Sequence, residues 1–229
     1  MGQLFEIHYV FAAFPRLIPF IPETLFLLFI CIAASLVLGV LFALLQIFPF
    51  PVLSRLVTLI VSFVLGMPLL TLLFLFYFGL PEIFLPLGID FTRTNGIYFV
   101  VLAFGLHYAV MVSEYIRGAV NSVGKGQFEA AFAIGLTTLT ALRQIIMPQA
   151  MRVLLPNLAN TYLRAIKSTS IAFSVGVVDL MSQAQVIGQS TGHNFESYLA
   201  VTVIYYLFYL ILSSFFKVME KWSLRLSYQ

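Results

Sequence analysis

Charge is what this sequence has least of. Only 9% of its 229 residues are charged, 61% are hydrophobic, and the mean hydropathy is +1.02. Soluble domains carry about 25% charged residues, and a soluble protein that exposed so much apolar surface would aggregate. The composition therefore excludes an ordinary water-soluble domain and predicts an all-α integral membrane protein. Because apolar runs extend along nearly the whole chain, we predict a single transmembrane domain over 1–229.

The sequence also has a single cysteine and lacks the common ATP-binding loop motif. Cys31 is the one cysteine and lies within an apolar run, so no intrachain disulfide and no cysteine cluster for a metal can form. The chain has no Gly-x-x-x-x-Gly-Lys-Ser/Thr loop of the kind that binds ATP phosphates. We therefore predict no metal site, no cofactor and no catalytic residue in this chain, and we expect no nucleic-acid partner.

Five apolar segments are long enough to cross a bilayer as helices, which takes about 20 residues each. The fourth segment is the least apolar of the five. Their approximate limits are 24–48, 56–78, 97–116, 170–188 and 198–218.

The distribution of cations predicts the orientation of these spans. An odd number of spans places the termini on opposite sides, and cytoplasmic loops are enriched in Lys and Arg. With the C-terminus inside, only Arg16 and Arg93 of the 12 Lys and Arg residues lie outside, which leaves ten inside. We therefore predict an outer N-terminus and a cytoplasmic C-terminus.

This topology divides the domain into four parts. Residues 1–23 form an outer interfacial segment, which carries apolar side chains with Arg16 and three prolines. Residues 24–116 contain helices 1 to 3, and 117–165 form a cytoplasmic loop. Residues 166–229 contain helices 4 and 5.

The cytoplasmic loop is predicted to fold into two short helices at an angle. Phe128, Phe132 and the alanines around them suit the first helix, and Gly135 can end it because glycine adopts backbone conformations that other residues avoid. Thr137 or Thr138 can cap the second helix. Pro148 is expected to interrupt or kink that second helix.

The same loop resembles a known motif. Glu-Ala-Ala, three residues, Gly, nine residues, Ile, two residues and Pro is the EAA loop of the membrane subunits of ATP-binding-cassette (ABC) importers of type I. Further stretches are similar to the polar amino acid permease branch, which includes carriers of histidine, glutamate, glutamine, arginine and cystine. Two departures are Leu65 before Gly66, where such permeases often have Arg, and Ser168, where they have Asp. The motif positions are Glu129, Ala130, Ala131, Gly135, Ile145 and Pro148, and the further stretches are 66–70, 76–81, 113–118, 123–127, 148–152 and 167–170.

The resemblance implies a complex in a bacterial plasma (inner) membrane, in which this chain is a multi-pass permease subunit. Two permease subunits, identical or sister chains, would form the path through the bilayer. Two separate ABC ATPase subunits, which bind ATP and Mg²⁺, would each dock on one EAA loop. An extracytoplasmic amino-acid-binding protein would deliver the substrate. The motifs leave open which amino acid is carried and whether the permease pairs with itself.

Candidate substrate-path residues lie within or beside the spans. Freed backbone groups at a helix break are tolerated where they line a cavity, although a break can also serve packing alone. An intramembrane carboxylate usually faces the bundle interior, where it can meet a substrate amino group or play a structural part. A histidine in a span is more often a hydrogen-bonded core residue. The candidates are Gly66, Met67, Pro68, His107, Lys167, Thr169, Ser170 and Asp179.

A second pattern, Gly188-x-Ser190-x-Gly192, matches the spacing of a hydrolase nucleophile elbow. That motif needs a strand, a tight turn and a helix, whereas a flexible polar turn in an outer loop is expected here. His193 is too close in sequence to be an obvious triad partner, and no suitable acid is placed for it. An intramembrane serine hydrolase is therefore a weak alternative.

The preferred function is that of the permease subunit of an ATP-driven, binding-protein-dependent importer of a polar amino acid, without enzymatic activity of its own. The main alternative is an ATP-independent secondary carrier or channel for small solutes. Such a carrier would need coupling-ion sites within the membrane and would not need a structured loop with the EAA spacing.

Overall fold

The computed structural model describes residues 4–48 and 50–226, and within them the chain is helical without any β-strand. Three turns of other geometry join helices into longer rods. They are the 3₁₀ turn Ile18–Phe20 and the π-helical turns Leu75–Gly79 and Leu142–Ile146. The α-helices are α1 (Ile7–Leu17), α2 (Ile21–Ile47), α3 (Pro51–Leu65), α4 (Leu69–Phe74), α5 (Leu80–Phe84), α6 (Gly96–Ser122), α7 (Lys125–Ala133), α8 (Thr138–Ala141), α9 (Met147–Ser168), α10 (Leu180–Thr191) and α11 (Asn194–Leu226).

Four rods in the described part are long and apolar enough to span a membrane. A fifth span results if the helix Thr138–Val175 and α10, which meet at an angle of 57°, are taken together. The prediction of an all-α membrane protein with about five spans is confirmed to that extent. The four rods are Ile7–Ile47, Leu69–Leu87, Gly96–Ser122 and Asn194–Ser223.

The predicted second span is broken where Gly66, Met67 and Pro68 occur. α3 ends at Leu65, and the Gly66 N–H donates to the Ser62 carbonyl at 3.2 Å. Pro68 has an extended backbone with ψ 142° and is the N-cap of α4. The chain breaks here because proline cannot donate the hydrogen bond that would continue α3. The predicted helix break is confirmed.

The limits of the predicted fourth span are wrong. A 3₁₀ segment, Thr169–Val175, continues α9 to its end, and Gly176 then turns the chain with φ +77°. The predicted span 170–188 therefore contains the end of one helix and most of another. The predicted boundary between loop and span, at residues 165 and 166, falls inside α9.

The second loop helix is much longer than predicted. α8, the π-helical turn Leu142–Ile146 and α9 form one rod that packs against α6 and α11. Pro148 does not interrupt it, because Pro148 is the second residue of α9 and the wider π-helical turn lies just before it. A proline is tolerated at the start of a helix, where its missing N–H is not needed.

The predicted outer interfacial segment is a helix that packs on protein. Val10, Ala13 and Leu17 of α1 are buried in a cluster with α10 and α11. The start of α1 is also fixed by polar contacts, since the Glu6 N–H donates to Glu196 Oε1 at 2.9 Å. An apolar helix face that is covered by protein is not available to lipid.

The core of the bundle is the pair α2 and α6. A Cβ built on Gly39 would lie 2.6 Å from Val112 Cβ and 2.8 Å from the Ala109 carbonyl oxygen. The two helices therefore approach so closely that only glycine fits at position 39. Cys31 is buried in the same core.

The end of α7 agrees with the prediction. Gly135 has φ +80°, and its N–H donates to the Phe132 carbonyl at 2.9 Å. The Leu136 N–H donates to the Ala131 carbonyl at 3.1 Å, which completes a Schellman motif. Thr137 Oγ1 accepts from the Thr140 N–H at 3.3 Å and caps α8.

Gly39→Ala is expected to destabilise the folded bundle by about 1–3 kcal/mol, because the added methyl group overpacks the contact with Val112. The measurement is the thermal unfolding midpoint of the purified protein in detergent. Gly118→Ala is the control, since a Cβ at Gly118 in α6 meets open space and should raise stability slightly. Equal midpoints for the two variants would contradict the close α2–α6 packing.

Gly135→Ala is expected to loosen the end of α7, since a left-handed backbone costs a non-glycine residue about 1–2 kcal/mol. Amide hydrogen exchange at residues 135 and 136 should accelerate by about fivefold or more. Gly126→Ala lies in the same helix, has ordinary backbone angles and meets open space, so it should leave those amides unchanged.

Candidate functional site

The EAA loop is held by a buried apolar cluster. Ala119, Val120 and Val123 at the end of α6 pack with Leu142 and Ile146 of the π-helical turn. All five residues are buried, so the loop is anchored both where it leaves α6 and where it joins α9. The loop is therefore a rigid extension of α6 and α9.

The motif residues differ in exposure. Ala131 is buried, whereas Glu129, Ala130, Gly135 and Pro148 are exposed. The remaining position, Ile145, is half-buried beside the apolar cluster. Glu129 forms no hydrogen bond or ion pair within the described residues. Its carboxylate is therefore available to a group outside this chain.

Apolar side chains extend the exposed surface of the loop. Phe132 is 48% exposed, Ile134 74% and Leu139 67%. Glu129 and Ala130 belong to the same loop and are exposed as well. A patch that combines exposed apolar groups with polar ones is typical of a protein-binding surface.

A second site lies on α9, where polar residues recur at helical spacing. Asn157, Asn160, Arg164 and Lys167 follow one another at intervals of three and four residues, so they share one face of the helix. They line a pocket of about 380 Å³ between α6, α9 and α11. The other lining residues are Tyr115, Leu163 and Tyr209.

Neutral groups fix the two cations of this pocket. Arg164 Nη2 donates to Tyr115 Oη at 3.4 Å and to Thr161 Oγ1 at 3.3 Å. The Lys167 ammonium lies 5.7 Å from the centre of the Tyr209 ring, which is a cation–π contact. Among the residues that the structure describes, neither cation has an anionic partner.

Lys167 also reaches a second, smaller pocket of about 200 Å³. Ser170 and Tyr205 line it too, and Ser170 Oγ donates to the Lys167 carbonyl at 2.7 Å. The two pockets therefore meet at Lys167. The other lining residues are Met181, Tyr198, Val201 and Thr202.

Asp179, a predicted path residue, caps α10. Its Oδ1 accepts from the Ser182 N–H at 2.8 Å, and its Oδ2 accepts from the Tyr205 hydroxyl at 3.4 Å. The Ser182 hydroxyl in turn accepts from the Asp179 N–H at 2.7 Å, so the two residues form a capping box. Asp179 is fully buried and does not line either pocket.

The remaining predicted path residues lie elsewhere. Thr169 is buried and donates to the Ile166 carbonyl at 2.7 Å. His107 is half-buried, and its Nδ1 has no hydrogen-bond partner among the described residues. Neither residue lines the two polar pockets, and neither does the helix break Gly66–Pro68. Lys167 and Ser170 are thus the two predicted path residues that line these pockets in the described part of the chain.

Six of the seven residues that line the α9 pocket, all except Lys167, are not among the predicted site residues. Asn157 and Asn160 were placed in a cytoplasmic loop, and Arg164 served only to assign topology. The available signal was the spacing of three and four residues along one helix face. Tyr209 of α11 reaches α9 only through the tertiary fold.

The Gly-x-Ser-x-Gly stretch has no hydrolase geometry. Ser190 is in α10, not in a flexible turn, and its hydroxyl donates to the Ile187 carbonyl at 2.9 Å. His193 Nδ1 does meet an acid, Glu196 Oε1, at 3.0 Å, which corrects the expectation that none was placed for it. The His193 ring, however, stacks on Tyr9 at 3.7 Å. These residues join α1 to α11.

Curated relatives cover nearly the whole chain. The L-cystine transport system permease protein TcyL of Bacillus subtilis (strain 168) is 35% identical over 221 residues, which are 96% of this chain and 92% of the relative. The probable amino-acid ABC transporter permease protein PatM of Vibrio harveyi is 39% identical over 203 residues, with coverage of 88% and 89%.

Solved structures show the same architecture. A chain described as "Crystal structure of an amino acid ABC transporter with histidines" superposes with a TM-score of 0.85 at 27% identity, covering 96% of this chain and 99% of that one. A chain of the MetNI methionine ABC transporter in an inward-facing conformation shares the fold at a TM-score of 0.73 and 19% identity, with coverage of 91% and 96%.

The family described as "Binding-protein-dependent transport system inner membrane component" matches residues 35–225, which include the EAA loop and the α9 pocket. This chain therefore belongs to that family of transport-system membrane components.

Proposed function

We propose that this chain is the permease subunit of an ATP-driven, binding-protein-dependent importer of a polar amino acid. The observation that carries the proposal is the rigid EAA loop, whose motif residues are exposed while its base is buried between α6 and α9. Membership of the transport-system family and relatives named for cystine and amino acids support the substrate class.

The EAA loop is the docking site for a separate ABC ATPase, which binds ATP and Mg²⁺. The exposed Glu129 supplies a charge for a cation on the ATPase, and Ala130 allows its backbone to approach closely. The buried Ala131, together with Ile145, seats α7 on the bundle. Gly135 and Pro148 set the shape of the loop, and Phe132, Ile134 and Leu139 add apolar contact area.

Each ATPase transmits its motion through this loop to the path. The apolar cluster joins the loop to α6 and α9, and α9 carries the polar pocket. Closure of two ATPases therefore moves helices that line the path. Lys167 and Ser170 are the substrate-path residues of the predicted set that the pocket geometry favours, with Thr169 and Asp179 supporting the same helices. Gly66, Met67, Pro68 and His107 act in the path only if the assembled complex brings them to it.

The complex contains a second permease subunit, either a copy of this chain or a sister chain, and an extracytoplasmic amino-acid-binding protein. It resides in a bacterial plasma membrane with the N-terminus outside and the C-terminus inside. The cations near the ends of α6, α7 and α11 support this orientation, because they are then cytoplasmic with the EAA loop.

The alternative function is that of an ATP-independent carrier or channel. Such a protein would have no ATPase subunit for the EAA loop to bind. Uptake that persists in vesicles without ATP would favour that alternative. Uptake that requires internal ATP and the ATPase subunit supports the importer.

Ile134→Asp is expected to weaken ATPase docking by about tenfold or more, because it places a charge in an apolar contact. The amount of ATPase subunit that co-purifies with the tagged permease measures this. Glu129→Lys should have a similar effect and should also uncouple ATP hydrolysis from uptake. Ile89→Asp is the matched control, since Ile89 is also exposed but lies between α5 and α6 on the proposed outer side. Normal stoichiometry and coupling in both loop variants would contradict docking here.

A reporter that is active only in the cytoplasm should be active when it is fused after Gln229, and inactive when it is fused at the N-terminus. Enzymatic activity of the two fusions in intact cells, normalised to the amount of fusion protein, measures this. The opposite pattern would overturn the proposed orientation.

A further inference from the structure

The polar face of α9 is unusual for a helix within a membrane bundle. Polar side chains lie on one face of this helix, at intervals of three or four residues. They belong to Asn157, Asn160, Arg164 and Lys167. Asn160, Arg164 and Lys167 are exposed, whereas the opposite face, with Ala159, Tyr162 and Ile166, is buried. The polar face is therefore the one that meets the surroundings of this chain.

Hydrocarbon is an unfavourable environment for this polar face. A cation at the centre of a bilayer costs about 2.5–3.5 kcal/mol on the insertion scale, and such residues usually face a water-filled cavity. Arg164 and Lys167 are one helical turn apart, and neither forms an ion pair within the described residues. Two adjacent cations without an anion form a binding site for an anionic group.

Three carboxylates of the described bundle have partners outside these pockets. Asp179 caps α10 and accepts from Ser182 and Tyr205. Glu114 pairs with Arg117, and Glu196 is bound to His193 and to the Glu6 N–H. No carboxylate lines either of the two polar pockets.

The dimensions suit a small polar molecule. The larger pocket, of about 380 Å³, falls within the range of about 300–1,000 Å³ that is usual for ligand pockets. Beyond the two cations, its polar groups are the carboxamides of Asn157 and Asn160 and the hydroxyls of Tyr115 and Tyr209. These groups donate or accept hydrogen bonds without net charge.

We propose that Arg164 and Lys167 bind the α-carboxylate of the transported amino acid, and that the pocket selects amino acids whose side chains carry no positive charge. This inference rests on the proposed importer function and names its substrate class. Asn157, Asn160 and Tyr115 bind an uncharged polar side chain. The side chain of arginine or lysine would instead meet two cations and no carboxylate. A second copy of this chain would bring the same set of groups.

The test uses the complete complex of permease, ATPase and binding protein, purified and reconstituted in proteoliposomes. ATP-driven uptake is measured for glutamine, asparagine, serine, cystine, arginine and lysine. Direct binding of the same labelled amino acids to the complex without the binding protein isolates the pocket from selection by that protein. At least one uncharged amino acid should bind and be imported, and arginine and lysine should do neither. The α-amide of the imported amino acid, which lacks the carboxylate, should not compete.

Arg164→Gln and Lys167→Gln should each weaken direct binding of that amino acid by about tenfold or more, as expected for a charge-assisted hydrogen bond. Lys217→Gln is the control, because it removes a cation from α11 outside both pockets and should leave binding unchanged. Co-purification of the ATPase with each variant establishes that the complex still assembles.

Asn160→Asp supplies the carboxylate that the pocket lacks, and it should allow arginine or lysine to bind. Because the expected result is a gain of binding, misfolding of the variant cannot produce it. A wild-type complex that binds arginine or lysine as well as the uncharged amino acids would overturn the inference. So would unchanged binding in both Gln variants. In either case ATP-driven import would stand, whereas the absence of ATP-dependent uptake of any amino acid would overturn the proposed function itself.

Discussion

The structure depends on one constraint: the hydrocarbon of a bilayer offers no partner to a polar group, so each must find one within the protein or in a water-filled space. Helices satisfy the backbone, and side chains satisfy the breaks between them. At the break before α10, Asp179 and Ser182 cap each other's backbone N–H groups, and Thr24 accepts the Leu180 N–H at 3.1 Å. Polar side chains that remain exposed on α9 are therefore better matched to water or to polar groups of another molecule than to hydrocarbon.

Local chemistry made part of this fold predictable from the sequence. Pro68 cannot donate a backbone hydrogen bond, so a break was expected there and occurs. Gly135 is tolerated at positive φ, so a helix end was expected there and occurs. The limits of the fourth span were predicted wrongly because they depended on hydropathy. Arg164 and Lys167 lower the hydropathy of α9, so the apolar segment appeared to begin nearer to α10.

Long-range contacts could not be predicted in the same way. Nothing local indicates that Tyr9 stacks on His193 or that the Glu6 N–H donates to Glu196, since these pairs are remote in sequence. They fix α1 on the α10–α11 pair, where an interfacial segment was expected. The α9 pocket was predictable only in part. The spacing of its polar residues along α9 is visible in the sequence, but Tyr115 and Tyr209 line it from other helices.

The π-helical turn Leu142–Ile146 adds one residue between α8 and α9. One residue corresponds to a rotation of about 100° around a helix axis. That single insertion determines the direction in which the polar face of α9, with Asn157, Asn160, Arg164 and Lys167, points relative to α7. The angular alignment between α7, where we propose that the ATPase docks, and the proposed substrate pocket on α9 thus depends on the length of one turn.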